Sequence, residues 1–166
     1  MLGVPIREDS SDSQDLSRVI EALVNRRGLS LPEAMELAVP PIVNEIRQFP
    51  EELRGFYMYL RQAMGPFAQG PIALISRHGD EHVFSVDALG LRPLWQIDAH
   101  DAWVFSSEPG VVAVADMIAD PKPLSPGEKV LVRVKREREA RHYDHQQMQR
   151  LVHERWLART GATHVA

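Results

Sequence analysis

The sequence predicts an α+β fold in which helices come first and antiparallel strands follow. Two observations carry that expectation. As far as Met64, apolar side chains recur at the three- and four-residue spacing that lines one face of a helix. From Ile72 onward the chain breaks into short segments with strand-like content, separated by turn residues. Helices in one block and strands in the next indicate stacked layers, whereas a parallel sheet would need βαβ alternation. One domain is expected, with a mainly helical part at 1–66, an antiparallel β part at 67–136, and a charged segment with a C-terminal helix at 137–166.

The first helix follows from Leu16, Val19, Ile20, Leu23 and Val24, with Ser13 as its expected cap and Gly28 as its end. The second opens at Ser30-Leu31-Pro32-Glu33, where Ser30 and Glu33 make a capping box and Pro32 suits the first turn. Pro40-Pro41 stops it. A third begins at Pro50-Glu51-Glu52, whose carboxylates favour a helix N-terminus, and buries Leu53, Phe56, Tyr57, Leu60 and Met64 before Gly65-Pro66. Strands are expected at Ile72 to Ser76, Glu81 to Val86, Leu94 to Ile97, Ala102 to Ser106 and Val130 to Lys135. The polar stretches after the first and third of these are short enough for hairpin loops. A last helix is expected from about Gln146 to Ala158, with Met148, Leu151, Val152 and Trp156 on one face. The aromatic residues Phe56, Tyr57, Trp95, Trp103, Phe105 and Trp156 fall at helix or strand period and read as core.

Composition narrows the function classes. The 166 residues carry 19 Lys+Arg and 23 Asp+Glu, a net charge of −4 that gives no general pull toward polyanions. There is no cysteine, hence no disulfide, thiolate metal site or cysteine nucleophile within these residues. No apolar run approaches the roughly 20 residues that cross a bilayer, and the acidic stretch Glu8, Asp9, Asp12 does not suit a secretory leader. A cytoplasmic protein with no membrane or nucleic-acid partner is expected.

Three stretches carry a family likeness. Ser11-Asp12-Ser13 precedes an amphipathic helix; Asp87-Ala88-Leu89-Gly90-Leu91-Arg92-Pro93-Leu94 follows a strand; and Ser106-Ser107-Glu108 comes shortly after. Together they resemble the class II glutamine amidotransferases, which are N-terminal-nucleophile (Ntn) hydrolases. The intervening order, Ser30 to Met35, then Pro50 to Tyr57, then Gly70-Pro71-Ile72-Ala73, is similar to the amidotransferase domain of glutamate synthase. Leu124-Ser125-Pro126-Gly127-Glu128-Lys129-Val130 resembles that domain's later strand entry. The resemblance covers about Ser10 to Val134. It implies that Asp12, flanked by Ser11 and Ser13, grips the α-ammonium group of glutamine. It also implies that Asp87, Gly90, Arg92, Pro93, Ser107 and Glu108 form a structural motif.

The departures shape the expectation equally. In the family, a leading cysteine, an arginine and an Asn-Gly pair all precede the Ser-Asp-Ser motif. Here ten residues precede Ser11, and Met1-Leu2 offers no N-terminal nucleophile. The resemblance therefore implies the C-terminal half of a layered Ntn-hydrolase-like domain, with no catalytic residue of its own. Ammonia release would then require a cysteine-bearing half or synthase subunit, and the uncovered strands favour such a partner or self-association. A non-catalytic module that senses glutamine or docks on another protein is the alternative. No cofactor is implied.

Arg92 is expected to pair with Asp87 or Glu108, since a charge inside an apolar strand segment is usually paired. His142, His145 and His153 with Asp144 show an H-x-x-H spacing but no third ligand in register, so no metal is expected. Arg133, Lys135, Arg136, Arg138 and Arg141 alternate with Glu137 and Glu139, the pattern of a solvated strand exit.

Overall fold

The computed structural model of the protein describes residues 9–64, 70–135 and 139–161, without the side chains of 63 and 64. The Met1-Leu2 start, the Met64 side chain, the Gly65-Pro66 breaker, Arg136 and Arg138 lie outside the described residues.

Helices lead, as the periodicity requires. Helix α1 (Asp12–Arg27) begins two residues before Leu16's stripe suggests. The N-cap position falls to Ser11, in extended conformation, and not to Ser13, which sits inside the first turn. The reason is in the backbone: the Ser11 carbonyl already accepts from the Gln14 and Asp15 amides at 2.9 and 3.1 Å. Helix α2 (Leu31–Ala38) has the expected capping box, and all eight of its residues are buried. Its glutamates therefore need partners inside the protein. Glu33 Oε2 accepts from the Ser30 amide at 2.8 Å and from Ser30 Oγ at 2.6 Å, while Arg159 reaches both Glu33 oxygens at 3.2 Å. A short turn, α3 (Val43–Ile46), follows the Pro-Pro stop; it is too brief for any period to reveal. Helix α4 (Glu51–Met64) buries Leu53, Phe56, Tyr57 and Leu60 at spacings of three and four. Burial of side chains this size is worth roughly 1.5–3 kcal/mol each.

Five strands match the expected segments within a few residues: β1 (Ala73–His78), β2 (Glu81–Val86), β3 (Trp95–Ala99), β4 (Ala102–Ser106) and, after a two-residue β5 (Lys122–Pro123), β6 (Lys129–Arg133). The strands β5 and β7 (Arg141–Tyr143) carry too few residues to show alternation, and their neighbours induce them. Helix α5 (His145–Thr160) closes the chain. Asp144 caps it, with Oδ1 accepting from the Gln147 amide at 2.8 Å.

Every strand pair is antiparallel, in two sheets of order β1-β2-β6-β7 and β4-β3-β5. The larger sheet is buried on both faces. Val83 and Leu131 face the helices and join Leu23, Met35, Phe56, Tyr57 and Met148 in one core. Val86, Val130 and Val132 face the smaller sheet and form a second core with Leu94 and Leu124. There Phe84 stacks on Phe105 with ring centroids 3.6 Å apart. The result is a layered α+β arrangement of helices, large sheet and small sheet. Edges stay open: Ile75 on β1 is 60% exposed, and Val114, on the turn after β4, is 84% exposed.

Double burial explains an otherwise unfavourable choice on β6. Lys129 is fully buried, and its ammonium lies 3.5 Å from Glu36 Oε2 of α2, itself fully buried. Removing one member of such a pair leaves an uncompensated charge, at a cost of about 3–5 kcal/mol. Lys129→Met should therefore lower the unfolding free energy by about that much in urea titration, and adding Glu36→Leu should recover most of the loss.

Candidate functional site

The residues singled out in sequence fall into two groups. At the mouth of α1, Ser11, Asp12 and Ser13 are all exposed. Ser11 Oγ and Ser13 Oγ lie 3.0 Å apart, and Ser10 Oγ donates to Asp15 Oδ1 at 2.6 Å. The Asp12 carboxylate makes no ion pair or hydrogen bond with any described residue. It stands in the first turn of a 16-residue helix. A carboxylate so placed is available to a cationic group from outside.

The second group is built around Asp87, which follows β2 and is 5% exposed. Its Oδ1 accepts from the Leu89 amide at 2.9 Å and the Leu91 amide at 3.1 Å. Its Oδ2 accepts from Ile72 at 3.2 Å, Leu91 at 3.0 Å and Arg92 at 3.3 Å. Burial acts to raise the carboxyl's pKa, but the amides of Leu91, Ile72, Leu89 and Arg92 together outweigh it and hold the group below its ordinary value. The Asp87 carbonyl accepts from Gly90 at 3.0 Å and from Gly127 at 2.8 Å. Two sequence motifs thus meet. Gly90 sits at φ +65°, where a side chain is strained, and a Cβ there would lie 3.0 Å from Pro126 Cγ, so the proline ring would have to give by a few tenths of an ångström. Gly127, at φ +74°, faces Glu45 Oε2, 2.9 Å from where its Cβ would stand.

Arg92 does not make the ion pair expected of it. Asp87 takes its backbone amide, because five amide contacts already saturate the carboxylate, and the guanidinium is left exposed with no ion pair among the described residues. Glu108 is exposed too; its amide donates to Ser106 Oγ at 3.1 Å, and Ser107 and Pro93 lie on the surface. No hydrogen bond or ion pair among the described residues joins the Asp12 group to the Asp87 group.

The histidines do not share a helical turn. His142 lies on β7, where Nε2 stands 3.3 Å from Gln96 Oε1 and burial pushes its pKa down. His145 opens α5 and faces Glu45 Oε1 at 3.2 Å, while His153 packs on Phe56. Among the described residues no three His, Cys, Asp or Glu side chains group as metal ligands. Arg133, in the basic segment, bonds Glu81 Oε1 at 2.9 Å, as does Arg155.

Sequence reasoning missed Glu36, Glu45 and Lys129. A signal existed for Lys129, a lone charge opening the apolar run Val130-Leu131-Val132, and for Glu36, one turn after the buried Glu33 on an otherwise apolar helix. Among the described residues no helix is long and apolar enough to cross a membrane.

Comparison with known proteins supplies the context for these groups. The family model of the glutamine amidotransferases of class II matches residues 3–156. The glutamate synthase [NADH] of Saccharomyces cerevisiae is 33% identical over 129 residues, 76% of this chain and 6% of that protein. The glutamate synthase [NADH] of Schizosaccharomyces pombe is 31% identical over 132 residues, 78% of this chain and 6% of that protein. The chain thus spans about 6% of the length of these relatives.

Asp87→Asn keeps one acceptor and turns an NH2 toward amide donors, so it should destabilise the fold by about 2–3 kcal/mol. The sign with pH follows from the depressed folded pKa. Asp87's contribution is complete above the ordinary value of 3.8 and is lost as pH falls through the lower folded value. The gap between wild type and variant in denaturant titrations should therefore narrow below pH 3.8.

Proposed function

The chain belongs to the class II glutamine amidotransferases, and from that premise we propose that these residues supply the glutamine-holding part of such a domain, with the nucleophile coming from polypeptide beyond them. The observation that carries the reading is Asp12: an exposed carboxylate at a helix mouth, without an ion pair or hydrogen bond among the described residues and flanked by two hydroxyls. The α-ammonium of an amino acid is the complementary group. A charge-assisted hydrogen bond between them is worth roughly 1.5–3 kcal/mol, about one to two orders of magnitude in affinity.

The chemistry divides accordingly. Hydrolysis of the glutamine side-chain amide requires a nucleophile beside a base, and donors aimed at the oxyanion of the tetrahedral intermediate. Attack forms a glutamyl ester or thioester and expels ammonia, and water then releases glutamate. The 166 residues contain no cysteine to begin that sequence. Ser10, Ser11 and Ser13 are the nearest hydroxyls to Asp12. Ser10 Oγ donates to Asp15 Oδ1, and the Ser11 and Ser13 hydroxyls face each other. Arg92 and Glu108, each exposed and with a side chain unpaired among the described residues, are motif groups available to meet the complementary polypeptide.

The purified protein should release no ammonia from glutamine above the rate in buffer. Combined with a cysteine-bearing amidotransferase half it should hydrolyse glutamine, and Asp12→Asn should raise the apparent glutamine constant at least about tenfold. An unchanged constant refutes the role of Asp12. Turnover by the chain alone that vanishes on mutating one of the three serines refutes the division of labour. Glutamine binding without turnover in any reconstituted complex favours a sensing module.

A further inference from the structure

Behind the large sheet, five elements converge on a polar cluster inside an apolar core. Glu36 comes from α2, Glu45 from α3, Tyr57 from α4, Lys129 from β6, and His145 and Gln149 from α5. Four of them are at least nine-tenths buried: Glu36 and Lys129 at 0% exposure, Tyr57 at 1% and Gln149 at 2%. Among the outer members, His145 and Glu45 satisfy one another, the ring proton lying on Nε2 because Nδ1 accepts. The Lys129 amide donates to His145 Nδ1 at 3.1 Å, His145 Nε2 faces Glu45 Oε1 at 3.2 Å, and Gln149 Nε2 lies 3.0 Å from His145 Nε2.

The inner members do not. Both carboxylate oxygens of Glu36 and the hydroxyl of Tyr57 are buried with no well-aligned hydrogen-bond partner among the described residues, although Tyr57 stands close enough to Glu36 for their side-chain contact to help raise the phenol's pKa. Lys129 Nζ balances the charge of Glu36 from 3.5 Å without aligned hydrogen bonding, and reaches the Gly127 carbonyl only at 3.5 Å. Burial first, and the neighbouring Glu36 charge second, raise the Tyr57 pKa well above its ordinary value, so the phenol keeps its proton. The inventory is therefore two strong acceptors on Glu36, one O–H donor on Tyr57 and underused N–H donors on Lys129. Leaving such groups unpaired costs about 1–3 kcal/mol each.

We propose that Glu36, Tyr57 and Lys129 form a binding site for one buried water molecule. Water fits the inventory because it donates twice, toward the carboxylate, and accepts from the phenol or the ammonium, the roughly three bonds typical of interior water. A cation fits poorly: Lys129 already neutralises Glu36, and a second positive charge would sit beside the ammonium without a second buried carboxylate to balance it. The bound molecule joins α2, α4 and β6, and through the Gly127 carbonyl it borders the turn that holds the Asp87 loop. The inference is independent of the glutamine reading.

A crystal structure at resolution sufficient for ordered solvent, together with crystals soaked in rubidium chloride, tests it. The expected result is a density peak about 2.6–3.2 Å from a Glu36 oxygen and from Tyr57 Oη or Lys129 Nζ, with no anomalous signal from rubidium. Tyr57→Phe should then lower the melting temperature by about 2–4 °C, since it removes a used hydrogen bond and not an orphan. Absence of the peak overturns the proposal, as does an anomalous peak at the site, which would make it a cation site. A Tyr57→Phe protein as stable as wild type, or more so, also overturns it, because deleting an unpaired buried hydroxyl is the change that costs nothing.

Discussion

The Asp87 carboxylate is the interaction on which the rest of the motif region depends. It gathers amides from Ile72, before β1, and from Leu89, Leu91 and Arg92 in its own loop, while its carbonyl receives Gly90 and Gly127. A loop that leaves a sheet exposes backbone donors which must be satisfied by something. A single buried carboxylate satisfies four at once, so a surface loop acquires a fixed shape without a hydrophobic core beneath it. Gly90 and Gly127 are consequences of this. Both adopt positive φ, which L side chains rarely take, and at Gly90 a Cβ would also crowd Pro126.

The same turn connects the loop to the interior. Gly127 lies two residues before Lys129, whose ammonium is held between Glu36 and the Gly127 carbonyl. Because β6 is buried against helices on one face and the small sheet on the other, its first residue cannot reach solvent, and α2 is buried on every side and must present Glu36 inward. A buried ion pair of this kind is a weak source of net stability and a strong constraint on arrangement, because displacing either partner strands a charge. It makes the docking of α2 on β6 specific, and the Asp87 loop inherits that precision through Gly127.

Much of this was legible. The capping box at Ser30 and Glu33, the stripe of α4 and the strand β2 follow from local rules that tertiary structure reinforced. The misses have physical causes. Ser13 suits a cap as well as Ser11 does, so residue type alone cannot separate them, and the helix start is decided by where the backbone turns. The short elements α3, β5 and β7 hold three or four residues or fewer, and exist because a neighbour offers bonds. Asp144 was legible and overlooked: Asp-x-x-Gln before the last helix is a capping signature. Arg92 failed for a subtler reason. An arginine five residues from Asp87 invites an ion pair, but Asp87 is already committed to backbone donors, which lie nearer and demand no side-chain ordering.

That last case separates the polar residues into two classes. Asp87, Glu33 and Glu81 are consumed by the fold: each accepts from several internal donors and has nothing left to offer a ligand. Asp12, Arg92 and Glu108 carry charge on the surface with no side-chain ion pair among the described residues, although they belong to the segments that the family likeness runs through. Exposed charges are ordinary, and exposure alone assigns nothing. The distinction lies in cost. The fold fixes the backbone around Arg92 through Asp87 and starts the helix at Asp12, so the positions of these groups are set before any ligand arrives, and ordering them on binding is correspondingly less expensive.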